Sequence, residues 1–207
     1  MAYLFLDNEM GGIGTQYSLL TVYLAHFTDD LVLVDDLYLY LKPDDGIYKV
    51  CGEAMNVNRI DLKVHDTRAI TYKEGGTKLY NFLKNNSSTS NRLVPVGHGI
   101  YGDIELIVHN LISRGSWDQW VSYRKLDTQA VCQFLKACGM FPENVSGSLE
   151  SIAKYFGVIV SENELHDAKY DTLLSVEIFK CLKSLMTPVK RAEPPDAIAK
   201  AVWNVIR

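Results

Sequence analysis

At 207 residues, with 47% hydrophobic and 22% charged content, the chain can bury one sizeable core and is short for two. No run approaches about 18 uninterrupted apolar residues, and the opening stretch from Met1 to Met10 carries no basic segment. Neither a membrane span nor a secretory signal is therefore expected, and the chain reads as soluble and cytoplasmic. A formal net charge of −4 excludes a protein that grips long duplexes through a broad basic face, yet leaves room for an acidic site whose charge bound cations would reverse.

In chain order, Tyr3 to Glu9 predicts a short buried strand ending in acids, and Gly11, Gly12 and Gly14 mark the turn after it. Ser18 to Phe27 and Leu31 to Leu41 are rich in β-branched and aromatic residues and joined by Thr28-Asp29-Asp30, the pattern of a hairpin. Pro43-Asp44-Asp45-Gly46 closes this section with turn residues. Helical patterning follows at Glu53 to Asn58 and Thr77 to Asn85, then a polar loop from Asn85 to Asn91.

Arg92 to Gly97 predicts a fourth strand, Ile104 to Ile112 a helix behind it, and Trp120 to Tyr123 a short fifth strand. Asp127 is placed to start a helix over Thr128 to Ala137, and Ser148 to Phe156 and Ala168 to Leu185 complete the set. Strands first, then alternating strand and helix, predict an α/β fold, a mixed five-stranded sheet with helices on both faces. Its domain is expected to cover residues 1–187, with a linker over 188–195 and a C-terminal helix over 196–207, whose apolar residues Val202, Trp203, Val205 and Ile206 fit either packing on the domain or docking to a partner. Cys51, Cys132, Cys138 and Cys181 lack paired or dense spacing and read as reduced thiols.

Chemistry enters through three separated acidic clusters. Asp7 and Glu9 are two apart in a strand, so their carboxylates point to one face and can reach one ion. Crowding such a pair away from water without cations is costly, and hard divalent ions such as Mg²⁺ or Mn²⁺ remove the conflict. Asp103 follows Gly97-His98-Gly99-Ile100-Tyr101-Gly102, and His166-Asp167-Ala168-Lys169-Tyr170-Asp171 opens a late helix. Singly each has a plainer role: solvated acids at 7 and 9, a helix cap at Asp103 or Asp167, a first-turn acid at Asp171, a surface histidine at 166.

Taken together and in order, they match a family pattern. The chain resembles the DEDDh exonucleases, the DnaQ-like group that includes the proofreading subunit of bacterial DNA polymerase III, oligoribonuclease and RNase T. The resemblance is carried by Asp7-Asn8-Glu9-Met10, by Gly97-His98 with Asp103, and by the HxxxxD spacing of His166 to Asp171; Ser148 to Gly157 supports it, and it spans roughly residues 3 to 185. Gly99 and Gly102 depart from it, standing where the family usually has Asn and often an aromatic. The resemblance implies a ribonuclease H-like fold and a two-cation phosphodiester hydrolase acting on single-stranded 3′ ends. Asp7, Glu9 and Asp171 would hold one Mg²⁺ or Mn²⁺, and Asp7 with Asp103 the second. Such ions sit about 3.5 to 4 Å apart and clamp the scissile phosphate. His166 would be the general base, and Met10 and Gly11 would meet the terminal nucleotide. Tyr101 and His98 are expected to stack or hydrogen-bond near the strand end, with core packing as their alternative.

DNA is the expected substrate, with nucleoside 5′-monophosphates as products. Two rival readings are an RNA-end trimming exoribonuclease, which would need recognition of the 2′-hydroxyl, and an inactive module that binds nucleic acid or a polymerase.

Overall fold

The computed structural model describes residues 1–185. The expected linker and helix over 188–207 lie outside the described residues. Among these residues no helix is long and apolar enough to cross a membrane, and the four cysteines are free.

The sheet has six strands in the order β4-β3-β2-β1-β5-β6. The central strand β1 (Tyr3–Met10) runs antiparallel to β2 (Leu19–Phe27), which pairs antiparallel with β3 (Leu33–Lys42). On its other side β1 pairs parallel with β5 (Val94–Gly97), which pairs parallel with the two-residue β6 (Leu126–Asp127). The two-residue β4 (Ile70–Thr71) pairs parallel with the end of β3.

The sheet is thus mixed, as expected, and the strand count is corrected from five to six. The predicted strand at Trp120 to Tyr123 is replaced: Trp120 closes a helix, and Val121 makes only an isolated bridge to Leu93. Trp120 and Val121 are buried by packing rather than by a ladder, and Tyr123 stands exposed. The two-residue strands that do pair are too short to show a period in sequence.

Strand alternation divides the core. Leu4 and Leu6 of β1 face a cluster with Leu79 and Leu83 of α3 (Tyr72–Asn86), Ile104 and Ile107 of α4 (Tyr101–Asn110) and Trp117 of α5 (Arg114–Trp120). Tyr3 and Phe5 face the opposite layer, against Ala168 and Val176 of α8 (Ala168–Leu185). There α8 also packs with α6 (Thr128–Ala137) and α7 (Leu149–Tyr155) through Cys132, Ile152 and Ile178. Two short helices, α1 (Gly52–Asn58) and α2 (Leu62–Asp66), lie between β3 and β4 in sequence.

Helix α3 starts five residues before its predicted beginning. Thr71 and Glu74 form a reciprocal capping box, so the helix tolerates Gly75 and Gly76 inside it. A Cβ at Gly76 would collide with the Leu111 carbonyl; the glycine is needed for the close approach of α3 to the end of α4.

Candidate active site

Asp7 and Glu9 continue the Tyr3–Phe5 face of β1 toward α8, the helix that carries Asp171 in its first turn. Asp103 arrives from the other layer, in the first turn of α4 just beyond the end of β5. Three segments distant in sequence therefore bring four acids together. Asp103 and Asp171 are only 7% and 8% exposed, while Asp7 and Glu9 are half-buried.

These carboxyls interact strongly. Asp7 is driven well above the usual carboxylate range, first by loss of hydration and then by the charges of Asp103, Glu9 and Asp171. Glu9 is pushed up to about 9 by burial, with Asp171 and Asp103 adding to it. Asp103 rises to about 7, from burial and then the neighbouring Asp127. Burial lifts Asp171 to about 6, against the opposing hydrogen bond from the His166 backbone N–H.

The plainer reading of Asp103 as a helix cap does not hold. Ile100 occupies that position and no side chain caps the helix. Asp167 does cap: its Oδ1 accepts the backbone N–H groups of Lys169 and Tyr170 at 3.0 Å each, and its Oδ2 accepts from the Tyr38 hydroxyl at 2.7 Å. That tyrosine bond ties the loop before α8 to β3.

His166 is exposed and adopts φ of 66°, a left-handed conformation that is strained for a non-glycine residue. Its backbone N–H donates to Asp171 Oδ2 at 3.1 Å, which fixes the turn. A ring nitrogen of His166 and carboxylate oxygens of Glu9 and Asp171 all lie within 4.8 Å of one another. The other Asp171 oxygen, Oδ1, is buried and has no protein hydrogen-bond partner. A buried carboxylate oxygen without a donor, close to the Glu9 carboxylate and a His166 ring nitrogen, belongs to a donor set that a hard divalent cation satisfies, so the residues fit such an ion.

A groove of about 330 Å³ opens from Glu9 and His166, bounded by Thr21, Tyr38, Tyr40 and Arg68. Arg68 stacks over the Tyr40 ring at 3.8 Å. On the other side of Glu9, an apolar hollow is formed by Met10, Gly12, Ile13, Ala54 and Val57. Met10 is half-buried against the core.

Gly11 is buried, and its backbone is already engaged: its N–H donates to Ser18 O at 2.8 Å and its carbonyl accepts from Cys51 N–H at 2.6 Å. A Cβ there would meet Lys49 O at 2.6 Å, so the position requires glycine for close packing.

His98 has both ring nitrogens committed, Nδ1 with Thr128 Oγ1 at 2.9 Å and Nε2 with Gly147 O at 2.8 Å. Burial holds its pKa below the usual histidine value. The ring thus ties β5 to the start of α6 and to the loop before α7, a role the sequence analysis did not separate from substrate contact. Tyr101 is 64% exposed, with Lys125 Nζ 3.6 Å above its ring.

Gly99 has φ of 76°. Glycine adopts that left-handed conformation at little cost, so the turn after β5 suits it. Asp127, predicted only as a helix start, also anchors this loop: its Oδ1 accepts from Gly99 N–H at 3.0 Å as well as from Gln129 and Ala130.

No protein-family model and no curated protein sequence matches the chain. Solved structures do. Escherichia coli exonuclease I in complex with a dT13 oligonucleotide superposes with a TM-score of 0.73 at 18% identity, over 88% of this chain and 41% of that one. Its zinc-bound complex with single-stranded DNA gives 0.75 at 18% identity, over 89% and 41%. Its complex with the SSB C-terminus gives 0.73 at 17% identity, again over 89% and 41%. The chain therefore spans about 41% of the length of exonuclease I, and at this identity the likeness is one of fold, a ribonuclease H-like mixed α/β architecture.

Proposed function

We propose that the chain is a divalent-metal-dependent 3′-to-5′ exonuclease that releases nucleoside 5′-monophosphates from single-stranded DNA ends. The convergence of Asp7, Glu9, Asp103 and Asp171 on one another, with two of the four buried, is the observation that carries this reading. Four acids so placed destabilise a metal-free fold, and a nuclease cleft is a use that would retain them. The likeness to exonuclease I, solved with a dT13 oligonucleotide, supports single-stranded DNA as the substrate class.

Asp7, Glu9 and Asp171 would hold one Mg²⁺ or Mn²⁺, and Asp7 with Asp103 the second. When bound, such ions lower the pKa of water, neutralise the phosphate and stabilise the leaving oxygen. The protein's own part is chiefly placement. Asp171 fixes the His166 backbone through its 3.1 Å hydrogen bond, and Tyr38 fixes the same loop through Asp167. His166, exposed at the cleft beside Glu9 and Asp171, accepts the proton of the attacking water, for which an imidazole is suited near neutral pH.

Met10 and the hollow beside it offer an apolar seat for the terminal base, and Gly11 permits the tight turn behind it. Tyr101 offers an exposed ring. His98 supports the site by holding the loop after β5, since its polar atoms are already taken.

The test is digestion of 5′-labelled single-stranded DNA and RNA of one sequence with Mg²⁺ or Mn²⁺. A ladder shrinking from the 3′ end with release of 5′-monophosphates is expected, faster on DNA. A faster RNA ladder would make the chain an exoribonuclease. No ladder on either, despite cation binding, would make it a nucleic-acid or polymerase-binding module.

A further inference from the structure

We infer that Tyr101, Tyr123, Arg124 and Lys125 form a second nucleic-acid contact, a basic and aromatic platform that holds single-stranded DNA beyond the reacting end. The inference rests on the nuclease reading of the cleft and extends the substrate surface away from it. Tyr101 and Tyr123 are 64% and 74% exposed, which leaves two large rings in water. Each ring has a cation over it: Lys125 Nζ lies 3.6 Å from the Tyr101 centroid and the Arg124 guanidinium 5.5 Å from that of Tyr123. Arg124 Nε also donates to the Tyr123 hydroxyl at 3.2 Å.

Among the described residues neither Arg124 nor Lys125 pairs with a carboxylate, unlike nearby Arg114, which is bound to Glu105 at 2.5 Å. Two unneutralised cations beside two exposed rings stand out on a chain of net charge −4. Tyr123 and Lys125 also line a hollow of about 200 Å³, together with Ile104, Trp117, Arg114 and Asp118, its one carboxylate. Proteins that hold single strands combine cations that track the phosphates with aromatic rings on which bases stack.

The position fits that use. Tyr101 lies two residues before Asp103 on the first turn of α4. Lys125 lies two residues before Asp127, whose side chain holds the Gly99 loop. The platform thus adjoins the Asp103 side of the cleft, whereas the Met10 hollow adjoins Glu9. A strand with its last nucleotide at Met10 and its preceding phosphates crossing the acids would leave over the platform.

The experiment is fluorescence anisotropy of 5′-fluorescein-dT12 with the full chain in EDTA, across a salt series. Tyr123→Ala is expected to weaken binding roughly tenfold through lost stacking. Arg124→Ala and Lys125→Ala are each expected to flatten the slope of log affinity against log salt by about 0.7, the signature of one lost phosphate contact on a single strand. Lys154→Ala, a surface cation on α7 held by Glu150 and Glu162, serves as a control that leaves both readouts at wild-type values. Wild-type affinity and slope in all three platform variants would overturn the inference. Because binding is read without hydrolysis, a chain that binds dT12 through these residues but releases no nucleotide would sink the nuclease reading and leave the platform.

Discussion

Replacing Asp171 with asparagine is expected to stabilise the metal-free protein while disabling it. The carboxyl is 8% exposed and its Oδ1 lacks a protein partner. Burial lifts its pKa from 3.8 to about 6, so its ionisation costs about 3 kcal/mol more in the folded chain than in the unfolded one, at roughly 1.4 kcal/mol per pH unit. An amide keeps the acceptor for the His166 N–H and carries no charge. Its buried NH₂ group, without an acceptor, returns about 1 to 2 kcal/mol of that gain. The net expectation is about 1 to 2 kcal/mol, or roughly 2 to 8 °C in melting temperature for a chain of this size.

The folded pKa is raised, so wild-type stability is greatest below the unfolded value near 4 and falls as pH rises toward 6. The advantage of Asp171→Asn is therefore full at pH 8 and close to zero at pH 5, where the ionisation penalty is about half as large and the amide's cost is unchanged. Thermal unfolding in EDTA at the two pH values measures it directly. A variant that melts at or below the wild-type temperature at pH 8 would refute the claim that these buried acids are held at a cost.

Three further outcomes are expected. His166→Ala should lower turnover by about 10² to 10⁴-fold while leaving Mn²⁺ affinity by calorimetry nearly unchanged; a comparable loss of affinity would instead make the ring a ligand, as its place within 4.8 Å of the Glu9 and Asp171 oxygens permits. With Asp103 raised to about 7 and Glu9 to about 9, stability in EDTA should keep falling between pH 5 and pH 9, and Mg²⁺ should raise the melting temperature more at pH 8 than at pH 5; a flat profile in differential scanning fluorimetry would contradict this. Asp127→Ala removes the α6 cap and the Gly99 anchor together, so urea denaturation should show a loss of about 1 to 2 kcal/mol.

Much of the fold could be read from residues alone because its long elements carry strong periods. Helix α8 runs from Ala168 to Leu185 as patterned, and the hairpin of β2 and β3 follows its apolar runs. The two-residue strands β4 and β6 carry no period, and α2 and α5 carry only a turn or two. Strand alternation at Asp7 and Glu9 was legible because it is local. The burial of Asp103 was not, since it depends on how α4 meets β5. Likewise, nothing near His98 announces that Thr128 and Gly147 occupy its nitrogens, and nothing near Tyr38 announces its bond to Asp167 across 129 positions. Long-range pairing of this kind is decided by tertiary packing, which local patterns do not encode.

The most direct measurement is the rate of dTMP release from 3′-labelled dT12 by wild type, Asp7→Asn, Asp103→Asn and Asp171→Asn at one Mg²⁺ concentration, with EDTA as control. The account predicts release by wild type alone, abolished by EDTA, with each variant slower by about 10³-fold or more, as expected when groups act as one unit. Wild-type release that survives EDTA, or any of the three variants within tenfold of wild type, would contradict it.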